Sequence, residues 1–255
     1  TPPLWRAALL EVGAAQFLVV TASRLIADGV SMRLIAEGLA AQLAGEDLPV
    51  TAPQMRAVQA RQAQALKDEA RATHRAYWQG VLGRDAPDWQ APGQKSNLRL
   101  GSYRCGRQGL TLPAEMRQRL IAAGGVCGAT LAQVLASFQL LLLRRVSRQD
   151  RLMIGMDSAG RDGPGAAGTI GCLNQLVPLV FDFEAEAPAS LAELIAKGAA
   201  AQNAALAHQH YGLDALAEDT GRIRDPARPF AFMAGFSFQS MTGDLPGLAP
   251  RLDLA

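Results

Sequence analysis

Short apolar segments alternate with amphipathic stretches along the whole of this chain. The stretches "RLMIGMD" (151–157) and "NQLVPLVFDF" (174–183) have the length and apolar content of buried strands, and helical spacing of apolar residues lies on both sides of them. Alternation of this kind is typical of an α/β fold, here with a mixed sheet. Because 49% of the 255 residues are apolar, the chain can bury a substantial core.

Apolar spacing also predicts the order of the elements. A strand at "QFLVV" (16–20) precedes the first helix, and alternation predicts a strand or hairpin at 98–112. The aromatic residues of 229–239 predict a further strand there. The predicted helices cover residues 30–45, 54–82, 112–125, 129–146, 189–207 and 212–220. Prolines and glycines then interrupt the pattern, which predicts an N-terminal part at 1–86, a linker at 87–97 and a C-terminal part at 98–255.

Composition and charge argue against several classes of function. Lys+Arg 25 against Asp+Glu 23 leaves a formal net charge of +2, which disfavours nucleic acid and membrane partners. The three cysteines are odd in number and widely spaced, which predicts neither disulfides nor a cysteine metal site and indicates the cytoplasm. The apolar segment 131–143 is shorter than the roughly 18 to 20 residues of a membrane span, and the chain does not open on a secretory leader.

The loop "TASRLIADGVS" (21–31) lies where a strand passes into a helix. Ser23, Arg24 and Asp28 therefore stand where functional side chains are common. Asp28 is well placed to cap the helix or to pair with an arginine. Ser23 is expected to be a loop hydroxyl rather than a nucleophile, because no histidine lies near it in sequence.

A family resemblance begins in the same loop. "SRLIADG" (23–29) resembles the HHxxxDG signature of nonribosomal peptide synthetase condensation domains, with Asp28 and Gly29 at its end and Ser23 and Arg24 where the two histidines belong. Further landmarks follow in the family's order: "YWQGVL" (77–82), "MIGMDSAGRD" (153–162), "IGCLNQLVPLVFDF" (170–183), "AHQHYGLDALAED" (207–219) and "PFAFMAGFSFQ" (229–239). The chain is therefore identified as a member of this family.

The resemblance implies a two-lobed α/β fold with mixed sheets, related to chloramphenicol acetyltransferase. Compared with the family, the sequence begins shortly before the histidine motif and stops soon after "FSFQ", so the first part of the N-terminal lobe and the end of the C-terminal lobe are expected to be missing from it. A fragment of a longer chain and a naturally trimmed relative both stay open. The resemblance also implies that peptidyl carrier protein domains bring phosphopantetheine arms into a tunnel between the lobes, with no cofactor bound directly. Asn174, which aligns if one residue is deleted before it, and Gln239 are expected at that tunnel.

Arg24 departs from the family where catalysis is most often assigned. A guanidinium stays protonated, so Arg24 cannot accept a proton, although it can donate hydrogen bonds to an oxyanion or bind a carboxylate or phosphate. Losing a general base costs about 10² to 10⁴ in rate, whereas positioning contributes up to about 7–11 kcal/mol. We therefore expect impaired or lost catalysis, with Asp28 structural and with backbone donors near Gly29 beside Arg24. A merely solvated Arg24 is the alternative.

Two other functions stay open. A silent condensation-like platform would recruit a tailoring enzyme to a carrier-bound substrate. A heterocyclising relative would have a DxxxxDxxS signature, which Asp28 and Ser31 fit and Ser23 does not.

The remaining motifs predict no further site. His208 and His210 point in different directions on a helix and have no acidic or cysteine partner at ligand spacing, so we predict no metal site there. His74 lies on a polar helix and is expected in solvent. The glycine-rich segment 160–171 lacks the order of a phosphate-binding loop and is predicted to be a flexible loop.

Overall fold

The computed structural model describes residues 3–48, 52–83, 105–219, 232 and 234–239. The strands within these ranges are β1 (Trp5–Val12), β2 (Ala15–Ala22), β3 (Arg151–Ser158), β4 (Gln175–Asp182) and β5 (Gly235–Phe236). The helices are α1 (Gly29–Leu43), α2 (Met55–Ala65), α3 (Asp68–Leu82), α4 (Ala114–Val126), α5 (Leu131–Ser147), α6 (Phe183–Glu186), α7 (Leu191–Ala207) and α8 (Leu213–Asp219).

Residue contacts divide the chain into two compact units. The first unit contains Thr1–Lys67, Ala159–Asn174 and Gln239–Ala255, and the second contains Asp68–Ser158 and Gln175–Phe238. The segment that joins β3 to β4 therefore belongs to the first unit, although both strands belong to the second. The linker predicted at 87–97 lies outside the described residues, so the predicted division of the chain there stays a prediction.

The first unit opens with an antiparallel hairpin of β1 and β2, paired from Trp5 with Ala22 to Val12 with Ala15. Side chains alternate between its two faces, and both faces carry exposed apolar residues. Leu9 and Leu18 share one face, and Leu10 and Phe17 share the other; each of the four is at least 41% exposed. The sequence pattern did not predict β1, because "WRAALLEV" has no period-two alternation.

The predicted helix at 54–82 is wrong in one respect, because the structure divides it into α2 and α3. Leu66 ends α2 with φ −94° and ψ 26°, outside the helical region. No glycine or proline marks this break, so the continuous polar pattern concealed it.

The second unit contains a three-stranded sheet in the order β4-β3-β5. β3 pairs antiparallel with β4 and parallel with β5, so the sheet is mixed as expected. Helices α5 and α7 pack against each other so closely at Gly198 that an added Cβ would lie 2.4 Å from Ser137 Oγ. The core contains fully buried Leu140, Leu152 and Ile154.

Two of the predicted strands, near the linker and near the C-terminus, lie partly outside the described residues. Residues 98–104 lie outside the described ranges, and 105–112 have no regular structure, so the strand predicted there is wrong in its described part. Of the strand predicted at 229–239, the described residues contain only β5. Within the described ranges, no single helix is long and apolar enough to cross a membrane; α4 and α5 pass by length and composition only when taken together across a 94° bend.

Candidate functional site

The loop between β2 and α1 begins with a tight turn at Ser23. The Ser23 amide donates to the Leu4 carbonyl at 2.7 Å, and the Ser23 carbonyl accepts from the amides of Ile26 (3.0 Å) and Ala27 (3.2 Å). Its hydroxyl oxygen accepts from the Leu25 amide at 3.3 Å. The described polar contacts of Ser23 are thus contacts of a turn.

Arg24 follows in that turn and is exposed. In the described part of the chain, its guanidinium makes no hydrogen bond or ion pair. Its donors are therefore not taken up by the described side chains. This geometry is compatible both with an oxyanion donor and with a solvated side chain.

Asp28 is 4% exposed and caps α1. With an extended backbone at φ −102° and ψ −177°, it accepts hydrogen bonds at Oδ1 from the Ser31 amide (2.8 Å) and the Ser31 hydroxyl (2.7 Å). At Oδ2 it accepts from the Leu173 amide at 3.0 Å. The carboxylate therefore joins the start of α1 to a segment 145 residues away in sequence.

Arg161 is the arginine that pairs with Asp28. Its Nη2 lies 2.8 Å from Oδ1 and 3.0 Å from Oδ2, and the two side chains are only 6% and 3% exposed. Its Nη1 donates to the carbonyl oxygens of Ala166 and Thr169. Both structural roles that the sequence offered for Asp28, cap and arginine partner, are present together.

Ser31 completes this cluster and is fully buried. Its oxygen lies 2.8 Å from the Gly171 carbonyl oxygen and 2.9 Å from the Gly171 amide nitrogen. The single hydroxyl proton can serve Asp28 or the Gly171 carbonyl, but not both at once. An added Cβ at Gly171 would lie 2.6 Å from Met55 Sδ, so the close approach needs glycine.

The glycine-rich segment 160–171 was predicted to be a flexible loop; it is irregular apart from a short turn at Ala166–Gly168, and its flexibility stays a prediction. Arg161 binds two carbonyls of the segment, and the Thr169 hydroxyl, 1% exposed, donates to the Pro53 carbonyl at 2.8 Å. Ala166 is also fully buried and packs with Val58. The glycine content of the segment does not reveal that Arg161 binds two carbonyls of the same segment, although the letters "AGR" had marked Arg161.

The electrostatics of Asp28 follow from competing effects. Burial alone would raise its pKa, but the hydrogen bonds from the Ser31 amide and hydroxyl, from the Leu173 amide and from Arg161 outweigh burial and lower the pKa below its ordinary 3.8. The carboxylate is therefore ionised near neutral pH. Because its oxygens already accept these bonds, Asp28 is not available as a general base.

Asn174 and Gln239 were expected at the substrate tunnel. Asn174 is half-buried, and its Oδ1 accepts from Cys172 Sγ at 3.1 Å. Gln239 and Gly29 are exposed. The assignment of Asn174 and Gln239 to the tunnel stays a prediction.

The histidines of the second unit form contacts that the sequence did not predict. His74 is half-buried rather than solvated, because its Nδ1 lies 2.7 Å from His208 Nδ1. The His208 ring stacks on Tyr77 with centroids 3.9 Å apart, and Trp78 Nε1 donates to the His208 carbonyl at 3.1 Å. Burial lowers the pKa of both His74 and His208, and nearby His210 adds to this for His74. Within the described residues, no group of three or more His, Cys, Asp or Glu could hold a metal ion.

Comparison with known proteins identifies relatives of the whole chain. The model of the family described as "Condensation domain" matches residues 1–249. The chain is 31% identical over 250 residues to surfactin synthase subunit 1 of Bacillus subtilis (strain 168), covering 96% of this chain and 7% of that protein. The chain thus spans a small fraction of that relative.

Solved structures share the fold. VibH, an NRPS condensation enzyme, is similar with a TM-score of 0.71 at 19% identity, over 87% of this chain and 52% of that chain. The X-domain from teicoplanin biosynthesis, in its complex with OxyB, is similar with a TM-score of 0.67 at 23% identity, over 86% and 50%. The expected chloramphenicol acetyltransferase-like α/β fold with mixed sheets is confirmed, and the chain covers about half of each of these structures.

Proposed function

Because the chain belongs to the condensation domain family of nonribosomal peptide synthetases, we propose that it binds acyl and aminoacyl thioesters held on carrier proteins and that its amide-forming catalysis is impaired or lost. The partners in this proposal are peptidyl carrier protein domains, whose phosphopantetheine arms carry both substrates. The proposal keeps the cytoplasm as the location, which the three free cysteines favour.

The observation that carries the proposal is that neither Arg24 nor Asp28, in the loop of residues 21–31 (the motif loop), can act as a general base. In amide formation the amine nitrogen attacks the thioester carbonyl, the C–N bond forms and the C–S bond breaks, and the proton that the amine gives up ends on the departing pantetheine thiolate. Arg24 cannot take that proton, and Asp28 already accepts hydrogen bonds from Ser31, Leu173 and Arg161. What the loop retains is a fixed backbone and an exposed cation that can donate to an oxyanion.

The test uses the chain within its whole synthetase, with donor and acceptor carriers loaded and the amide product measured by mass spectrometry. Arg24→His restores a proton acceptor, so we expect its rate to exceed that of the unaltered protein by about 10²- to 10⁴-fold. Arg24→Gln is the matched control, because it removes the cation and supplies no base. If the unaltered protein already turns over at about 1 s⁻¹ or faster and Arg24→His adds nothing, catalysis is intact and this proposal fails.

A second candidate is a non-catalytic platform that recruits a tailoring enzyme to a carrier-bound substrate. The observation in its favour is the similarity to the teicoplanin X-domain in its complex with OxyB. This candidate predicts that Arg24→His yields no product while the chain binds an oxygenase encoded beside it. A titration that detects no binding to any such enzyme would remove it.

A further inference from the structure

The end of α5 departs from ordinary helix termination at Arg148. This residue is the C-cap and adopts the left-handed conformation, with φ 58° and ψ 28°, while its amide donates to the Arg144 carbonyl at 2.8 Å. Glycine is the usual residue at such a position, because a side chain there costs free energy that glycine avoids. Ala187 ends α6 in the same left-handed region, at φ 38° and ψ 56°, so the conformation by itself assigns no role to the Arg148 side chain.

Arg148 lines a surface cavity of about 340 Å³ together with Leu141, Arg144, Arg145 and Asp150. The cavity is lined by three guanidinium groups, and within the described residues only one of them is neutralised by a carboxylate. Arg144 pairs with Asp150, with Nη2 2.6 Å from Oδ1. Arg145 and Arg148 are exposed and make no side-chain hydrogen bond or ion pair in the described part of the chain.

The wall of this cavity is held in place on one side. The Arg144 guanidinium lies 4.7 Å above the Phe183 ring, and the Phe183 amide donates to the Asp150 carbonyl at 2.9 Å. Arg144 is therefore fixed by an ion pair and a cation–π contact, which leaves the charges of Arg145 and Arg148 for a ligand.

The helix dipole explains part of this pattern and not all of it. Arg144 and Arg145 lie in the last turn of α5, where the dipole by itself favours cations. Arg148 lies beyond that turn, at the position where glycine costs least. The dipole therefore accounts for the first two arginines, while Arg148 lies outside its last turn and is exposed.

We propose that the cavity at the end of α5 binds a phosphate monoester, with Arg145 and Arg148 as its ligands. Two unpaired guanidinium groups match the two negative charges of a phosphate monoester, and guanidinium forms paired hydrogen bonds with phosphate oxygens. The volume exceeds that of a phosphate group, so an organic portion of the ligand fits against Leu141. This proposal is independent of the amide-forming reaction, because it uses none of the residues of the motif loop.

The test titrates the full chain with inorganic phosphate and with glycerol phosphate, at constant ionic strength, while NMR follows the signals of residues 144–150. We expect saturable shifts for both, tighter binding of glycerol phosphate, and a loss of affinity of about tenfold or more in Arg148→Asn and Arg145→Gln. Asparagine tolerates the left-handed conformation, so Arg148→Asn keeps the fold. Arg119→Gln, an exposed arginine of α4, is the matched control and should bind as the unaltered chain does.

Three outcomes would overturn the proposal. The first is the absence of a saturable shift, and the second is equal affinity of the Arg148→Asn variant. The third is equal binding of acetate, which would assign the shifts to a general effect of anions. Thermal scans of Arg148→Asn and Arg145→Gln show whether both variants stay folded, so that a lost shift reports lost binding.

Discussion

Replacing Asp28 with asparagine tests the buried ion pair most directly. The substitution keeps the size of the side chain and removes its charge. Oδ1 can still accept from Ser31, but an NH₂ group now stands where Oδ2 faced the Leu173 amide at 3.0 Å and Arg161 Nη2 at 3.0 Å. The new NH₂ group then faces two other donors, the Leu173 amide and Arg161 Nη2, in a site where the side chains of Asp28 and Arg161 are at most 6% exposed.

The expected cost follows from those contacts. Each buried donor left without an acceptor costs about 1–3 kcal/mol, and breaking a buried ion pair from one side costs about 3–5 kcal/mol. We therefore expect Asp28→Asn to lower the free energy of unfolding by about 3–5 kcal/mol. Since whole domains are stable by about 5–15 kcal/mol, the change should be large and easily measured.

Urea unfolding followed by circular dichroism measures this cost, with Asp182→Asn as the control. Asp182 also accepts two backbone amides, from Glu184 at 3.1 Å and Ala185 at 3.0 Å, but its side chain is 34% exposed and lies 3.9 Å from Arg151. Its substitution should cost only about 0.5–1 kcal/mol. If Asp28→Asn costs no more than Asp182→Asn, the reasoning about burial is refuted.

A double-mutant cycle checks the cause. Arg161→Met removes the cation that Asp28→Asn leaves unpaired, so the double variant should be more stable than the sum of the single effects predicts, by at least about 1 kcal/mol. Strict additivity would show that the two side chains stabilise the protein independently, which the 2.8 Å contact contradicts.

Three further changes have defined outcomes. Because the pKa of Asp28 in the folded chain lies below 3.8, the ionised carboxylate contributes fully to stability above that pH, and this contribution is lost as the pH falls through the lowered pKa. Tm measured against pH in the unaltered chain should therefore show an acid-dependent loss that is smaller in Asp28→Asn. His74 and His208 have lowered pKa values, so the neutral pair contributes fully to stability above pH 6.5, and this contribution declines as the pH falls below 6.5. The difference between the urea midpoints at pH 7.5 and pH 5.5 should therefore be smaller in His74→Gln than in the unaltered chain. Gly124→Ala should destabilise the protein by about 1–3 kcal/mol, because the new Cβ would lie 2.6 Å from a backbone carbonyl oxygen, whereas Gly125→Ala, with open space, should stabilise it by up to about 1 kcal/mol in the same thermal scans.

Local patterns predicted the elements well where periodicity and caps agree. The helix that became α5 has both apolar spacing and a Thr130 capping box, and its predicted range of 129–146 lies within two residues of the observed one. The break at Leu66 and the strand β1 were missed because neither carries a composition signal. Sequence thus determined those elements whose stability is local.

The candidate site was predictable only in part, for the same physical reason. Asp28 is recognisable as a cap because its partner, Ser31, is three residues away. Its pairing with Arg161 joins residues 133 apart, and the contact between His74 and His208 joins residues 134 apart. Single-sequence reasoning offers an arginine as a partner for Asp28 but has no means of choosing which one.

The Asp28–Arg161 pair also has a consequence for recombining such proteins. A chimera joined anywhere between residues 32 and 160 takes the carboxylate from one parent and the guanidinium, with the carbonyls that orient it, from the other. Parents that agree at both residues can still differ in the backbone path at Gly171, where Met55 leaves no space for a side chain. Crossover points outside 28–173 would inherit the whole arrangement from a single parent.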